Sequence, residues 1–270
     1  WLSLETVRMA IDTHPEGAAE FATAIEHALL AMPAPVRRRQ YRLYQSGKYA
    51  YRMCLCHAPN GRLLSLGGGV DATLLALGEL GMDVTVVDNY CRPYYVRPEF
   101  QEAKAALQAG GVRLVEEDLL QTDLDFAADA SIDCIASFDC LEHLHHSPKH
   151  LLERCVQKLR VGGRLVLSVP NAVNLLKRFR VAVGRTNYGG VHEFYWNGTP
   201  YTGHVREWTA AELLQLADWL GLRNAQVLGR NWMGHERYGH RAPRALREAF
   251  DRALRLRPSL CSNLCLVAWK

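Results

Sequence analysis

The sequence lacks the cysteine spacing of a zinc site or of a disulfide-bonded scaffold. Its 270 residues include eight cysteines, none of which forms a Cys-x-x-Cys pair. Several of these cysteines fall in apolar segments, where a free cysteine packs as a small hydrophobic side chain. We therefore expect reduced thiols and a cytoplasmic protein.

The chain also lacks long apolar runs and a strong charge of either sign. No apolar stretch approaches the ~20 residues that span a bilayer, and the first residues show no basic segment followed by an apolar one. We therefore expect neither a membrane span nor a signal peptide. The net charge is only +4. Nucleic-acid-binding proteins usually concentrate Lys and Arg on one face, so we expect no nucleic-acid partner.

Short apolar runs alternate with helical patterns along most of the chain. These runs lie at 62–66, 83–87, 112–115, 132–137, 163–169, 225–228 and 264–269. The alternation predicts βαβ crossovers and a parallel sheet with helices on both faces. We predict a Rossmann-like, doubly wound α/β fold with a mostly parallel, seven-stranded sheet.

Two segments fall outside this alternation. Residues 1–58 have helical spacing, and we expect them to form an N-terminal lid ahead of a domain at 59–270. Residues 171–208 lose the periodic pattern but are rich in aromatic side chains and glycine. Long irregular segments in compact domains usually have a function, so we expect a cap insertion over the site. Its candidate substrate-binding side chains are the aromatic rings of Tyr195, Trp196 and Tyr201.

A glycine turn links the first predicted strand to the helix that follows. Gly67, Gly68 and Gly69 allow the backbone to turn sharply and to approach a ligand closely, and Asp71 follows at the start of the helix. Asp88 ends the next strand, where a carboxylate can accept hydrogen bonds from both hydroxyls of a ribose. These residues predict an adenosine-containing ligand.

Two cofactors fit this pattern. The glycines also match the loose dinucleotide fingerprint of an NAD(P)-dependent oxidoreductase. In such a site a pyrophosphate docks on the free N–H groups at the start of the helix, where the carboxylate of Asp71 would repel it. S-adenosylmethionine (SAM) has no phosphate and carries an ammonium and a sulfonium, so Asp71 favours SAM.

Later motifs resemble the class I SAM-dependent methyltransferases that act on small molecules. Residues 135–144 resemble the family's fourth strand with its Leu-Glu-His element, and residues 159–171 are close to its Gly-Gly turn and fifth strand. The resemblance covers about 62–228, although the family usually has an acidic residue in place of Ser65 and a glycine in place of Asp71. It implies SAM as cofactor. We expect the glycine turn, Asp71 and Asp88 to bind SAM together with Asn89, Asp118, Leu119, Phe138 and Asp139.

Methyl transfer to a hydroxyl requires removal of a proton but no covalent enzyme nucleophile. Histidine is suited to take a proton near neutral pH. The candidate bases are His143, which follows the fourth strand, and His192 and His204 in the cap segment. The acidic and histidine residues after the fourth strand show no recognisable metal-ligand spacing, so we predict no metal site.

The sequence therefore predicts a SAM-dependent methyltransferase that acts on a small molecule. The expected acceptor is a hydroxyl of a sugar or of a natural-product intermediate. The alternatives are an N- or C-methyltransferase, an NAD(P)-dependent oxidoreductase and a non-catalytic binding protein with the SAM fold.

Overall fold

A computed structural model of the chain describes residues 17–45, 48–198, 200–232 and 243–270. The strands are β1 Arg62–Leu66, β2 Asp83–Val87, β3 Arg113–Val115, β4 Ile132–Phe138, β5 Leu159–Pro170, β6 Arg223–Arg230 and β7 Asn263–Trp269. They form one seven-stranded sheet in the order β3-β2-β1-β4-β5-β7-β6. Strand β7 is antiparallel to both β5 and β6. The predicted Rossmann-like α/β fold with a mostly parallel sheet is confirmed.

Helices alternate with the strands, as the sequence predicts. They are α1 Gly17–Ala31, α2 Ala34–Gln45, α3 Lys48–Cys56, α4 Ala72–Glu79, α5 Pro98–Ala109, α6 Lys149–Lys158, α7 Leu175–Ala182, α8 Val191–Trp196, α9 Ala210–Trp219 and α10 Arg244–Arg255. Short 3-10 helices lie at Pro93–Val96, Leu141–His143 and Pro258–Leu260. Within the described ranges, no helix has both the length and the apolar character that crossing a membrane requires.

The chain divides into two compact units. The first comprises Trp1–Ala136 with Gln157–Gly163, and the second comprises Ser137–Val156 with Arg164–Lys270. This division groups the N-terminal helices with strands β1 to β3. A lid that ends near residue 58 therefore stays a prediction.

The first unit is built on the parallel strands β1, β2 and β3. Strand β1 is buried from Leu63 to Leu66, because helices cover both faces of a parallel sheet. Helix α1 packs against α4 and buries Ile25 and Ala28 completely. The N-terminal helices thereby lie beside the helix that follows the glycine turn.

The second unit contains the antiparallel pairs β5–β7 and β6–β7. Strand β7 lies between two partners and is buried from Asn263 to Ala268. Helix α9 packs on β6 and starts with a capping box, which Thr209 followed three positions later by Glu212 predicts. The Thr209 side chain accepts from the Glu212 backbone N–H, and the Glu212 carboxylate accepts from the Thr209 N–H.

Residues 171–208 are more regular than the sequence indicates. They contain α7 and α8, whereas we expected an irregular segment. Asn174 caps α7, and none of the helix's residues is buried. Trp208 donates to the carbonyl of Pro170, and Ala172 donates to the carbonyl of Trp208. These bonds hold the two ends of the segment together, as expected for an insertion.

The Gly-Gly turn of β5 has a steric explanation. Gly162 has a φ of 75°, in the region that favours glycine. A Cβ on Gly163 would lie 2.9 Å from the carbonyl oxygens of both Arg160 and Ile132. Since both contacts are with backbone atoms, a side chain at this position cannot be accommodated without moving the strand.

We expect Gly163→Ala to lower the free energy of unfolding by about 1–3 kcal/mol, the usual range for overpacking a closely packed site. Urea denaturation followed by circular dichroism measures the change. Gly190→Ala is the matched control, because nothing lies within 4 Å of a Cβ at Gly190. Equal stability of the two variants would show that the backbone around Gly163 relaxes freely.

Candidate active site

The glycine turn between β1 and α4 has the conformation that a close ligand approach requires. Gly67 and Gly69 have φ values of 65° and 56°, which side-chain-bearing residues rarely adopt. A Cβ on Gly68 would lie 2.5 Å from the Ser65 hydroxyl oxygen. The predicted turn is therefore present, and each of its three glycines has its own reason to lack a side chain.

Side chains from the N-terminal helices hold this turn. The Gln40 side chain, from α2, donates to the Val70 carbonyl at 2.6 Å and accepts from the Ala72 N–H at 2.9 Å. Arg52, from α3, forms an ion pair with Asp71 Oδ2 at 2.7 Å. The other oxygen of Asp71 accepts from the backbone N–H of Thr73 and caps α4. Both Asp71 oxygens are thus engaged within the protein.

Asp88 lies at the end of β2, next to the turn. Its Oδ2 accepts from the Gly69 N–H at 3.1 Å and its Oδ1 from the Tyr90 N–H at 2.8 Å. Burial raises the pKa of the Asp88 carboxyl, and the N–H groups of Tyr90 and Gly69 oppose this rise. A carboxylate can accept about four hydrogen bonds, so Asp88 retains capacity for the hydroxyls of a ribose.

The remaining first-unit candidates follow β2 and β3. Asn89 is exposed and accepts from the Cys91 N–H. Asp118 accepts from the Leu120 N–H at 2.9 Å, and Leu119 is buried. A surface cavity of about 290 Å³ is lined by Glu117, Asp118, Gln121, Thr122, Asp123 and Asp125. Asp118 therefore lines a concave surface, as an adenine-binding role would require.

Two further cofactor candidates belong to the second unit. Phe138 ends β4 and is half-buried. Asp139 has a φ of 52° and donates its backbone N–H to the Ser168 carbonyl at 2.9 Å. An aspartate in this conformation is uncommon and is often associated with functional sites.

His143 and His204 come together in the second unit, with ring centroids 5.1 Å apart. The backbone carbonyl of Glu142 accepts from the N–H groups of Val205 and Arg206, which ties the loop of His204 to the Leu141–His143 helix. His143 Nδ1 is 3.0 Å from the Gly203 carbonyl oxygen. His204 Nδ1 is 3.0 Å from Glu207 Oε1.

A buried carboxylate completes this group. Glu142 is 1% exposed. Among the described residues, one ligand atom from each of Glu142, His143 and His204 lies within 4.8 Å of those of the other two. This grouping was not recognisable as a metal-ligand spacing, because His204 follows Glu142 by 62 positions. We call Glu142, His143 and His204 the histidine cluster.

The third candidate base and the candidate substrate residues lie around the exposed helix α8. His192 is exposed, and its ring centroid is 6.3 Å from that of Trp196. The exposed fractions of Tyr195 and Trp196 are both 72%. Tyr201 is half-buried, and its carbonyl oxygen contacts His145 Nε2 at 2.7 Å.

The family to which the chain belongs follows from comparison with known proteins. A family model described as "Methyltransferase domain" matches residues 36–227. The chain belongs to this methyltransferase family. It is a SAM-dependent methyltransferase, and SAM is its cofactor. No curated protein matches its sequence.

Solved structures with the same fold support this assignment. A SAM-dependent methyltransferase from Archaeoglobus fulgidus is 15% identical, with 85% of this chain and 94% of that chain covered and a TM-score of 0.53. A possible histamine N-methyltransferase from Thermotoga maritima is 14% identical, with 86% and 94% covered and a TM-score of 0.53. A SAM-dependent methyltransferase from Mesorhizobium loti is 18% identical, with 83% and 98% covered and a TM-score of 0.52. These likenesses show the fold.

The first turn of α4 fits SAM better than a dinucleotide. A pyrophosphate docks on free backbone N–H groups at a helix start. Here the Ala72 N–H donates to Gln40, and the Thr73 and Leu74 N–H groups donate to Asp71. SAM carries no phosphate and does not need these donors. The positive φ values of Gly67 and Gly69 suit the close approach of a cofactor to the turn, and the Asp88 carboxylate is suited to its ribose.

Sequence reasoning missed one contributing residue in each unit. Gln40 is separated from its partners in the turn by 30 and 32 positions, and no local pattern signals such a contact. Glu207 was detectable, since it lies three positions after His204 and reaches its ring.

We expect Gln40→Met to weaken binding of S-adenosylhomocysteine and to lower the free energy of unfolding by about 1–3 kcal/mol. Methionine keeps the length of the side chain but leaves the Val70 carbonyl and the Ala72 N–H without their partner. Isothermal calorimetry and urea denaturation measure the two effects. Gln108→Met, at an exposed position, is the matched control. Wild-type affinity in Gln40→Met would show that the hydrogen bonds of the Gln40 side chain have no part in cofactor binding.

We expect Asp88→Asn to lower the affinity for S-adenosylhomocysteine about tenfold to hundredfold, the value of a hydrogen bond to a charged group. In the wild type, affinity should fall as pH decreases, because protonation of Asp88 removes an acceptor. Burial raises the pKa of Asp88, so this loss begins at a higher pH than for an ordinary carboxyl. Calorimetry across a pH series measures both effects.

The control for this experiment is Asp83→Asn, at the exposed start of the same strand. It should keep the wild-type affinity and the wild-type pH dependence, whereas Asp88→Asn should lose that pH dependence. An Asp88→Asn variant with the affinity and pH profile of the wild type would rule out a contact between Asp88 and the ribose.

Proposed function

We propose that the protein transfers the methyl group of SAM to a hydroxyl group of a small molecule. The observation that supports this acceptor is the pairing of His143 with His204, beside the carboxylate of Glu207. A hydroxyl must lose its proton as its oxygen attacks the methyl group, whereas an amine in its free-base form can attack directly. A site for a hydroxyl acceptor therefore needs a group that assists proton loss.

The partners of the two rings define their tautomers. The carbonyl of Gly203 can only accept a hydrogen bond, and so can the ionised carboxylate of Glu207. The Nδ1 atoms of His143 and His204, each 3.0 Å from such an acceptor, therefore carry a proton. In the neutral imidazole, Nε2 then holds the lone pair. In this tautomer Nε2, and not Nδ1, is the ring atom that can take a proton.

A carboxylate next to a histidine has a further effect. Glu207 fixes the orientation of the His204 ring, as the third member of a catalytic triad does for its base. Glu207 is itself held by an ion pair with Lys177 of α7. SAM supplies the electrophilic methyl group on its sulfonium, so the protein's task is to orient the acceptor oxygen and to assist its deprotonation.

The aromatic residues of the 171–208 segment suit a ring-bearing acceptor. The rings of Phe194 and Tyr201 are 5.1 Å apart, and those of Tyr195 and Trp196 are 4.9 Å apart. Aromatic side chains bind planar rings and the apolar faces of sugars. A sugar or a natural-product intermediate is therefore the proposed substrate class, with Tyr195, Trp196 and Tyr201 as its contacts.

Methyl transfer from SAM labelled with ¹³C in the methyl group tests this proposal. The protein is incubated with phenols, sugars and amines, and the products are examined by NMR, in which O-, N- and C-methyl carbons resonate in separate regions. An O-methyl signal is expected. An N-methyl signal would overturn the hydroxyl assignment and match the possible histamine N-methyltransferase of the same fold. Binding of S-adenosylhomocysteine without any product would indicate a non-catalytic protein.

We expect His204→Asn to lower kcat for hydroxyl methylation about 10²- to 10⁴-fold, the usual contribution of a group that assists proton transfer. Binding of S-adenosylhomocysteine should be unchanged, because the contacts of Gly69 and Asp88 do not involve His204. His146→Asn, at an exposed histidine of the same region, should keep wild-type activity. Undiminished kcat in His204→Asn would remove the support for a hydroxyl acceptor.

A further inference from the structure

We infer that the histidine cluster of Glu142, His143 and His204 binds a divalent transition-metal cation of the Zn²⁺, Fe²⁺ and Co²⁺ class. This site goes beyond the proposed function, and only its catalytic role rests on that function. The starting observation is geometric. The three side chains each bring one ligand atom to within 4.8 Å of the other two.

The two histidines make the same kind of hydrogen bond through Nδ1 as histidines that bind a metal. A ligating histidine almost always donates its other ring N–H to a backbone carbonyl or a carboxylate, which fixes its tautomer and orientation. His143 makes the first kind of bond, to Gly203, and His204 makes the second kind, to Glu207. Both Nε2 atoms are therefore unprotonated in the neutral rings, which is the form that binds a metal.

The third ligand is a carboxylate in a favourable environment. Glu142 is 1% exposed. A cation is attracted more strongly by a buried carboxylate than by an exposed one, because the effective dielectric constant is lower. The backbone carbonyl of Glu142 also accepts from Val205 and Arg206, which holds the chain directly after His204, and His143 contacts the carbonyl of Gly203 directly before it. The ligand from the loop is thereby held beside the two ligands from the Leu141–His143 helix.

The donor set determines the class of cation. Two imidazole nitrogens and one carboxylate oxygen suit Zn²⁺, Fe²⁺ and Co²⁺, whereas Mg²⁺ and Ca²⁺ prefer oxygen ligands. Tetrahedral ligands at about 2.1 Å from Zn²⁺ are about 3.4 Å apart. Since the ligand atoms lie up to 4.8 Å apart, the cluster has to contract by up to about 1.4 Å. The side chain of His204 is 34% exposed, so its ring can move by side-chain rotation while the backbone stays in place.

Three protein ligands leave at least one coordination position open, as in catalytic zinc sites. The acceptor hydroxyl would occupy that position. Coordination lowers the pKa of a bound hydroxyl, so its proton passes to water. The oxygen lone pair then forms the O–C bond while the C–S bond breaks, and the sulfur keeps the bonding pair. The cation would thus replace a free imidazole base in the proposed reaction.

Cobalt titration tests the site without reference to activity. The full chain is treated with a chelator, dialysed and titrated with Co²⁺, whose visible absorption bands report nitrogen and oxygen ligands in four- or five-coordinate geometry. We expect bands that saturate at one equivalent. His143→Ala, His204→Ala and Glu142→Gln should each lose at least tenfold in cobalt affinity. His146→Ala, the matched control, should bind like the wild type.

Binding of S-adenosylhomocysteine verifies that each variant is folded. A measurement on the wild type does not depend on any variant: NMR of the protein with ¹⁵N-labelled histidine should show two Nε2 resonances shifting when one equivalent of Zn²⁺ is added. Absent cobalt bands, bands that survive in all three variants, or Nε2 resonances unchanged by Zn²⁺ would each overturn the inference.

The outcomes for the site and for the proposed function are distinguishable. Hydroxyl methylation by the chelator-treated protein, with no cobalt binding, would leave the function and remove the metal site. In that case the cluster acts as a hydrogen-bonded base. Saturable cobalt binding without hydroxyl methylation would leave the metal site and remove the proposed acceptor.

Discussion

The conformation of the cofactor turn depends on two contacts of the Asp71 carboxylate. The carboxylate caps α4 with one oxygen and pairs with Arg52 of α3 through the other. Both side chains are largely buried, at 8% exposure for Arg52 and 17% for Asp71. Breaking such a pair leaves a buried charge without compensation, which typically costs about 3–5 kcal/mol. The conformation of the turn is therefore coupled to the packing of the N-terminal helices.

This coupling explains why the chain departs at Asp71 from the usual pattern of its family. A glycine is usual where Asp71 stands, and an acidic residue where Ser65 stands. With Asp71 paired to Arg52, its carboxylate serves the structure of the turn, and the charge that was expected to repel a pyrophosphate is largely compensated. What excludes a phosphate is the use of the first three N–H groups of α4 by Gln40 and Asp71. The choice of SAM from the sequence was right, but the physical reason differs.

The sequence predicted the features that local patterns encode. Buried parallel strands give near-continuous apolar runs, a glycine turn needs glycines, and the capping box of Thr209 and Glu212 spans four residues. All three were found where they were expected. Helices α7 and α8 were missed because they are short, at eight and six residues, and lie in a segment whose glycines and aromatic residues interrupt the periodic pattern.

Local patterns could not reveal the contacts that complete the cofactor turn in the first unit and the histidine cluster in the second. Gln40 reaches Val70 and Ala72 across 30 and 32 positions, and His204 meets His143 across 61 positions. Contacts at such separations arise when the chain packs, and a single sequence carries no signal for them. Glu142 and His143 are adjacent in the sequence, but the third member of the histidine cluster, His204, is distant. The spacing of the first two alone therefore could not indicate that the cluster binds a cation.

The histidine cluster forms because a short loop places its own side chains beside those of the Leu141–His143 helix. The Glu142 carbonyl accepts from two successive N–H groups at Val205 and Arg206, and this backbone contact brings His204 beside His143. The carbonyl of Gly203, from the same loop, defines the tautomer of His143, and Glu207 defines that of His204. One segment thus supplies a ring, its orienting carboxylate and the partner of the neighbouring ring. Base and metal ligand require the same Nε2 lone pair, so the presence of a cation decides which of the two roles the cluster performs.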